Sequence, residues 1–303
     1  PQTIPFAAWE PDRSDRFNPT AEAKGVYSSG EQYAPFPDLQ QYGGDSEVDA
    51  FTIVLLHMDG TDAATTFPDD SAAPHTFTAA GNAQVDTAQS KFGGASLLCD
   101  GTGDWITTPD AANLSLGSLF TIDLWFKINA ATGTREAMAG QADSTLDPTL
   151  SAWYIERHTD DTIRVHLSNG TAFVTLVSTT TFVTGADFAH LAVVLSGGTA
   201  RLFINGTQED SDAFTTVFNS AEDFRIGAAG EDTTTPWTGW IDEFRLSVGV
   251  ARWTAAFTPP TSAYSFGAGA EDVVLGARTV YDDDTTPAIF FGDDDRLYRM
   301  VSR

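Results

Sequence analysis

Residues Phe188 to Glu209 read FAHLAVVLSGGTARLFINGTQE, and this stretch decides the fold. Val193 and Leu195 belong to one short β-rich run, Leu202 and Ile204 to the next. Between them lies Ser196-Gly197-Gly198-Thr199, where glycine supplies the positive φ that a tight hairpin needs. A second turn, Asn205-Gly206, follows at once, and Asn-Gly is the strongest two-residue hairpin signal. Three strands are therefore expected within about twenty residues, the spacing of an all-β sandwich.

The same alternation of short apolar runs and turns extends outward in both directions. Phe51 to Met58 is an apolar run of buried-strand length, closed by Asp59-Gly60. Ser96 to Asp100 and Trp105 to Thr107 flank the turn Gly101-Thr102-Gly103-Asp104. Phe120 to Ile128 alternates cleanly, with Thr121, Asp123, Trp125 and Lys127 on one face, which predicts a half-buried strand with that face wet. Trp153–Glu156, Ile163–Leu167, Ala172–Leu176, Asp223–Ile226 and Trp237–Ser247 continue the series. About a dozen short strands with turns between them predict two packed antiparallel sheets, a sandwich or jelly roll. A helical turn is expected only within Val248 to Ala256.

Two flanks differ from this body. Residues 1–50 are punctuated by proline and hold no sustained period, yet carry Phe6, Trp9, Phe17, Tyr27, Tyr33, Phe36 and Tyr42. A disordered linker is poor in aromatics, so an extended arm lying on another surface is expected, with a partner subunit preferred. Residues 267–303 predict a small β meander with Asp282-Asp283-Asp284 and Asp293-Asp294-Asp295 at its turns. About 35 residues do not easily sustain a core alone, so the meander should dock on the main domain or complete a neighbour's sheet. The division expected is thus 1–50 as anchoring arm, 51–266 as jelly roll and 267–303 as β tail.

Charge and cysteine content exclude several function classes. The 42 acidic against 16 basic residues leave a net charge of −26, a surface that repels phosphate backbones and anionic membranes. No apolar run approaches the roughly 20 residues of a membrane span, and the opening residues lack the basic and apolar blocks of a secretion signal, which predicts a mature cytoplasmic product. Cys99 is single and apolar-flanked, as in a small core residue.

The ordered blocks Leu56–Gly60, Lys91–Leu97, Asp100–Trp105, Phe120–Phe126, Phe188–Val193, Arg201–Gly206 and Gly239–Ser247 resemble a laminin-G-like domain of the concanavalin-A-like jelly-roll superfamily, over residues 51–264. The ending Gly249 to Pro260 resembles the version found in tailed-bacteriophage structural proteins, and both flanks resemble pieces of phage virion proteins that lead into a longer propeller-like body. The resemblance implies a virion structural protein, made in the host cytoplasm and anchored by its termini beside other tail, adaptor or capsid proteins. It is expected to be a homo-oligomer and a tail or tail-adaptor accessory that contacts host glycans. A capsid decoration, a free secreted lectin and a glycoside hydrolase are the alternatives.

An enzyme is not expected. Hydrolysis of a glycosidic bond needs two carboxylates about 5–9 Å apart. The strand-borne Glu-x-Asp-x-x-Glu signature of one hydrolase family with this fold is missing, Asp242 and Glu243 are adjacent and are expected to face opposite sides of a strand, and no Gly-x-Ser-x-Gly elbow occurs. The resemblance instead implies a Ca²⁺ site at Asp59, Asp70 and Asp242. Against it stands the reading of Asp59 and Asp70 as turn residues and of Asp242 as partner to an arginine such as Arg245. The five histidines show no metal-ligand spacing, and the Asp triplets lack the alternation of an EF-hand loop. For stacking on sugars the candidates are Trp105, Trp153, Trp237 and Trp240. Trp240 sits mid-strand and is expected in the core, Trp237 at an exposed loop.

Overall fold

The computed structural model describes residues 47–130, 132–230, 235–266, 278–282, 286–293 and 296–300. The arm as far as Ser46, residues 267–277 and most of the two Asp triplets lie outside the described residues. Gly43–Ser265 form one compact unit.

The chain order is β1 (Glu47–Val48), β2 (Thr52–Leu56), β3 (Thr78–Ala80), β4 (Gln84–Asp86), β5 (Ser96–Asp100), β6 (Trp105–Thr108) and β7 (Phe120–Ile128). Then come β8 (Glu136–Gln141), β9 (Trp153–Arg157), β10 (Thr162–Ser168), β11 (Phe173–Thr181), β12 (Ala189–Ser196), β13 (Thr199–Ile204) and β14 (Thr207–Ala213). The body closes with β15 (Phe224–Ile226), β16 (Thr238–Val248) and β17 (Ser265–Phe266). One sheet has the order β11-β10-β9-β8-β15-β6-β3; the other runs β14-β13-β12-β7-β16-β5-β4, with β2 added on β16. Every ladder between these strands is antiparallel. The chain is an all-β sandwich of the concanavalin A-like jelly-roll kind.

Inward alternation builds the core. Phe120, Ile122, Leu124 and Phe126 of β7 meet Trp153, Ile155, Val165, Leu167 and Phe224 of the opposite sheet in one continuous apolar cluster. Cys99 is completely buried there, and burial pushes its thiol pKa well up, so it behaves as a small apolar residue. Separately, β18 (Arg278–Asp282), β19 (Thr286–Asp293) and β20 (Arg296–Met300) form a three-stranded antiparallel meander.

Three expectations change. β3, β4 and β8 were not legible as strands; β8 reads Glu-Ala-Met-Ala-Gly-Gln, poor in β-branched residues, and is held by its neighbours β9 and β15. The helical turn falls at Ala112–Leu114, as a 3₁₀ turn, and Val250–Phe257 is irregular. The face of β7 expected to be wet is buried: Thr121 and Asp123 have no exposed surface and Trp125 very little.

The segment after β16 covers that face. Thr121 Oγ1 donates to Val250 O at 3.1 Å and accepts from Arg252 N at 3.0 Å. Trp253 packs edge-on to His190, with ring centroids 5.7 Å apart, and stacks on Phe257 at 4.0 Å. Beneath this cover, Arg245 Nε donates to Asp123 Oδ1 at 3.0 Å and the Tyr264 hydroxyl donates to Asp123 Oδ2. Burial raises the Asp123 pKa, but the Arg245 guanidinium and His190 outweigh it and hold the carboxylate down near 2. His190, wholly buried, has its pKa lowered, chiefly by burial. Breaking a buried ion pair leaves a charge without compensation in a dry site. Asp123→Ala should therefore lower unfolding free energy by about 3–5 kcal/mol, read by urea denaturation; a change below about 1 kcal/mol would show the pair is not structural.

Candidate functional site

Two places on the sandwich gather polar chemistry that the core does not use. The first lies at a bulge in β16. Its N-terminal half, Thr238–Ile241, pairs with β5, and its C-terminal half, Phe244–Ser247, pairs with β2. The register with β7 slips between Asp242 and Arg245, and Glu243 takes a φ of 49°, in the left-handed region. The slip lets consecutive carboxylates serve the same end of the sheet.

Asp242 is fully buried; its Oδ2 accepts the backbone N–H groups of Lys91 at 2.6 Å and Phe92 at 3.1 Å. Its Oδ1 is buried without a hydrogen-bond partner, and so is Oδ1 of Asp59. Gly93, at φ +63°, lies against the Asp59 carboxylate so closely that a Cβ there would fall 1.9 Å from Oδ2. Glu243 Oε1 sits 2.9 Å from His57 Nδ1, and its Oε2 accepts from Tyr264 N at 3.0 Å. Burial pushes the Asp242 pKa up to about 7, with Glu243 and Asp59 adding to the rise against the two backbone hydrogen bonds. Burial likewise raises Asp59, and His57 is raised chiefly by its hydrogen bond to Glu243.

Of the three acids expected to share a cation, the structure brings Asp59 and Asp242 together. Asp70 stands apart from that pair: its carboxylate is half-exposed and lies 3.7 Å from His57 Nε2. Among the described residues no three His, Cys, Asp or Glu side chains converge as metal ligands. Two orphaned carboxylate oxygens in a dry, like-charged setting nevertheless suit a hard cation, which would complete its six to eight oxygens from backbone carbonyls. The competing arginine pairing falls to Asp123, since Arg245 bonds that residue.

The second place is the outward face of the β11-to-β3 sheet. Register aligns Arg225, Gly140, Tyr154, His166 and Thr175 in one row across β15, β8, β9, β10 and β11. Tyr154 and His166 stack at 4.1 Å with 14° between planes, and Phe173 meets both edge-on. In the next row Glu156 accepts from Arg135 Nε at 2.6 Å, and its Oε1 lies 3.3 Å from His166 Nε2. His166 Nδ1 lies 2.9 Å from Thr175 Oγ1. Burial raises the Glu156 pKa, but His166 and Arg135 more than offset it, so the carboxylate stays ionised. Over β8 this face is covered: Ala137, Ala142 and Ala229 form a small second apolar cluster with Tyr154, and a Cβ on Gly140 would meet Ala229 Cα at 3.2 Å.

The tryptophans expected to meet sugars are placed otherwise. Trp153 is 1% exposed and Trp237 0%, both inside the sandwich against Phe224 and Phe126, so neither offers a ring face to a ligand. Trp153 points inward because its neighbour Tyr154 points out. Trp237 lies in the main core, although its loop position had suggested exposure. Trp105 is half-buried at the start of β6. Trp240, expected in the core, is half-buried and donates its Nε1 hydrogen to Asp86 at 2.6 Å. The residues that sequence reasoning missed, Tyr154, Glu156, Arg164 and His166, are the outward members of two strands whose Trp153, Ile155, Ile163, Val165 and Leu167 point in. Period-two alternation in those strands carried that signal.

Residues 100–253 match the family model described as the concanavalin A-like lectin/glucanases superfamily. The chain belongs to that superfamily. Among solved structures it is similar to domain 4 of an extracellular arabinanase of glycoside hydrolase family 43 from Geobacillus stearothermophilus, solved with arabinotriose. There the identity is 20% and the TM-score 0.50, over 69% of this chain and 95% of that one. It is also similar to the binding domain of Paraclostridial Mosquitocidal Protein 1, with 11% identity and a TM-score of 0.52 over 79% of this chain and 63% of that one. The botulinum neurotoxin serotype D binding domain matches at 15% identity and TM-score 0.51, and the chain spans about half of it, 48%, from 67% of its own length. These likenesses show the fold. A comparison with curated protein sequences gives no match.

Asp242 generates a stability prediction in metal-free buffer. The folded state holds a proton up to about pH 7 that the unfolded chain releases near 3.8, so this group's contribution is present below 3.8 and is lost as pH rises to about 7. Asp242→Asn should remove that decline, on the order of 2–4 kcal/mol between pH 4 and 8. Urea unfolding at the two pH values checks it; equal slopes in variant and parent would mean the carboxylate is not buried as a charge.

Proposed function

We propose that this chain is a carbohydrate-binding jelly roll without hydrolytic activity, displayed on a tailed-bacteriophage virion as a tail or tail-adaptor accessory, with Ca²⁺ held by Asp59 and Asp242. The observation that carries the binding reading is membership of a superfamily of lectins and glucanases, in a domain whose outward acid is already committed. Glu156 is locked by Arg135 and His166, whereas a glycosidase needs a carboxylate free to give and take a proton. The arabinanase domain, solved with arabinotriose, supports the same reading. Fold alone does not assign activity, and the committed Glu156 is what weighs against hydrolysis. The virion reading is supported by the resemblance of Gly249–Pro260 and of both flanks to phage structural proteins. Those flanks would anchor the protein and interlock copies, and several copies would turn weak glycan contacts into avid ones.

Two measurements test the proposal. Millimolar Ca²⁺ should raise the melting temperature of the protein by preferential binding to the native state, and Asp242→Asn should lose the shift; identical melting curves with Ca²⁺ and with chelator would reject the cation. For the virion role, purified particles should contain the protein at about a dozen copies or fewer against the major capsid band, as closed tail rings do. Hundreds of copies would place it on the head, and its absence would end the structural reading.

A further inference from the structure

We propose that the outward face of β9, β10 and β11, centred on His166 and Phe173, is the sugar-contact site and that it takes a neutral oligosaccharide. This rests on the carbohydrate-binding reading above and adds the place and the ligand class.

The face is built unlike the wet side of an ordinary sheet. Beside Thr162, Thr175 and Thr179, the strands bring Arg164, His166 and Phe173 to a partly exposed surface, with Tyr154 and Glu156 buried next to them. Their planes are already fixed. His166 is held on both ring nitrogens, by Glu156 and Thr175, and its ring lies on Tyr154. Phe173 remains half-buried beside them. Held groups lose little freedom when a ligand arrives, which favours binding. Small-ligand sites combine such aromatic lining with a few fixed polar groups.

A buried donor of this face lacks an acceptor among the described residues. Arg164 Nε is buried with no hydrogen-bond acceptor, while the end of the same guanidinium donates to Asp160 at 2.8 Å. A ligand hydroxyl beside Arg164 would supply that acceptor. Tyr154 to Thr175 spans two strand spacings, about 10 Å, which accommodates about two sugar rings.

The charge balance selects the ligand. Arg135 pairs with Glu156, Arg164 with Asp160 and Arg225 with Asp223, so each arginine on the face has its own acid. The chain as a whole carries −26. An anionic glycan would meet a repulsive field and no uncommitted cation, whereas hydroxyls pair readily with guanidinium and carboxylate. A peptide adding as a strand is disfavoured too. At the sheet edge, the N–H of Val177 is taken by Asp210, and those of Thr179 and Thr180 by Glu209.

Calorimetry on the full chain tests the proposal with arabinotriose, cellotriose, maltotriose and N-acetylchitotriose as neutral probes and 3′-sialyllactose as the anionic one. At least one neutral trisaccharide should bind and 3′-sialyllactose should not. Phe173→Ala and Arg164→Met should each weaken that binding tenfold or more, with melting temperatures near the parent's, and the exposed control Leu119→Ser, just ahead of β7 of the other sheet, should leave it unchanged. Arg164→Met guards against a folding defect in Phe173→Ala. If a neutral sugar binds the parent and both variants within twofold, this site is wrong while the carbohydrate reading stands. Preference for 3′-sialyllactose would overturn the neutral ligand class. Binding of none of the five would overturn the carbohydrate reading, and this inference with it.

Discussion

Strand β16 serves three neighbours at once, and the bulge at Asp242–Glu243 is what allows it. One edge pairs with β7 along nearly the whole strand, while the other is divided between β5 and β2. A regular strand would send Asp242 and Glu243 to opposite faces. The extra residue, with Glu243 in a conformation that L-residues seldom adopt, breaks that rule locally and directs Asp242 to the Lys91–Phe92 backbone and Glu243 to His57 and Tyr264. Strain of this kind persists only where the surroundings impose it, and here a buried tyrosine, a histidine and two loops all hold the bulge.

The two sheets handle their outward faces in opposite ways. The β14-to-β4 sheet is roofed by the chain after β16, which seals Asp123, Arg245 and His190 from water and makes their pairing a matter of stability. The β11-to-β3 sheet is roofed over β8 by Ala229 and its neighbours, and β15 and β9 are buried with it. Beyond that cover, over β10 and β11, His166 and Phe173 lie at a partly open surface. A sandwich that spends its polar groups on stability at one face and leaves a fixed polar and aromatic set at the other is organised for contact on the second.

Much of this was legible in the sequence because turn chemistry is local. Asn205-Gly206 and Gly197-Gly198 announce the β12–β13–β14 meander, and the structure places strands on both sides of each turn. Burial of the second face of β7 was not legible, since it depends on Val250 to Tyr264 folding back from more than a hundred residues away. Exposure of single tryptophans failed for the same reason: Trp237 follows a polar loop yet enters the core, while mid-strand Trp240 reaches Asp86. The bulge was invisible too, because Ile-Asp-Glu-Phe-Arg reads as an unbroken strand; the pairing of Asp59 with Asp242 was implied only through family resemblance. The outward face of β9 and β10 could have been read directly from its alternation.

The most direct test of the account is to observe where a bound sugar touches the fold. Amide chemical shifts of the isotopically labelled protein, followed by NMR as a bound neutral trisaccharide is titrated, report this residue by residue. The account predicts perturbations concentrated at Tyr154–Glu156, Arg164–His166 and Phe173–Thr175, with Lys91–Gly94 and Asp242 unmoved. Perturbations confined instead to Lys91–Gly94, Asp59 and Asp242 would contradict it and assign recognition to the β16 bulge.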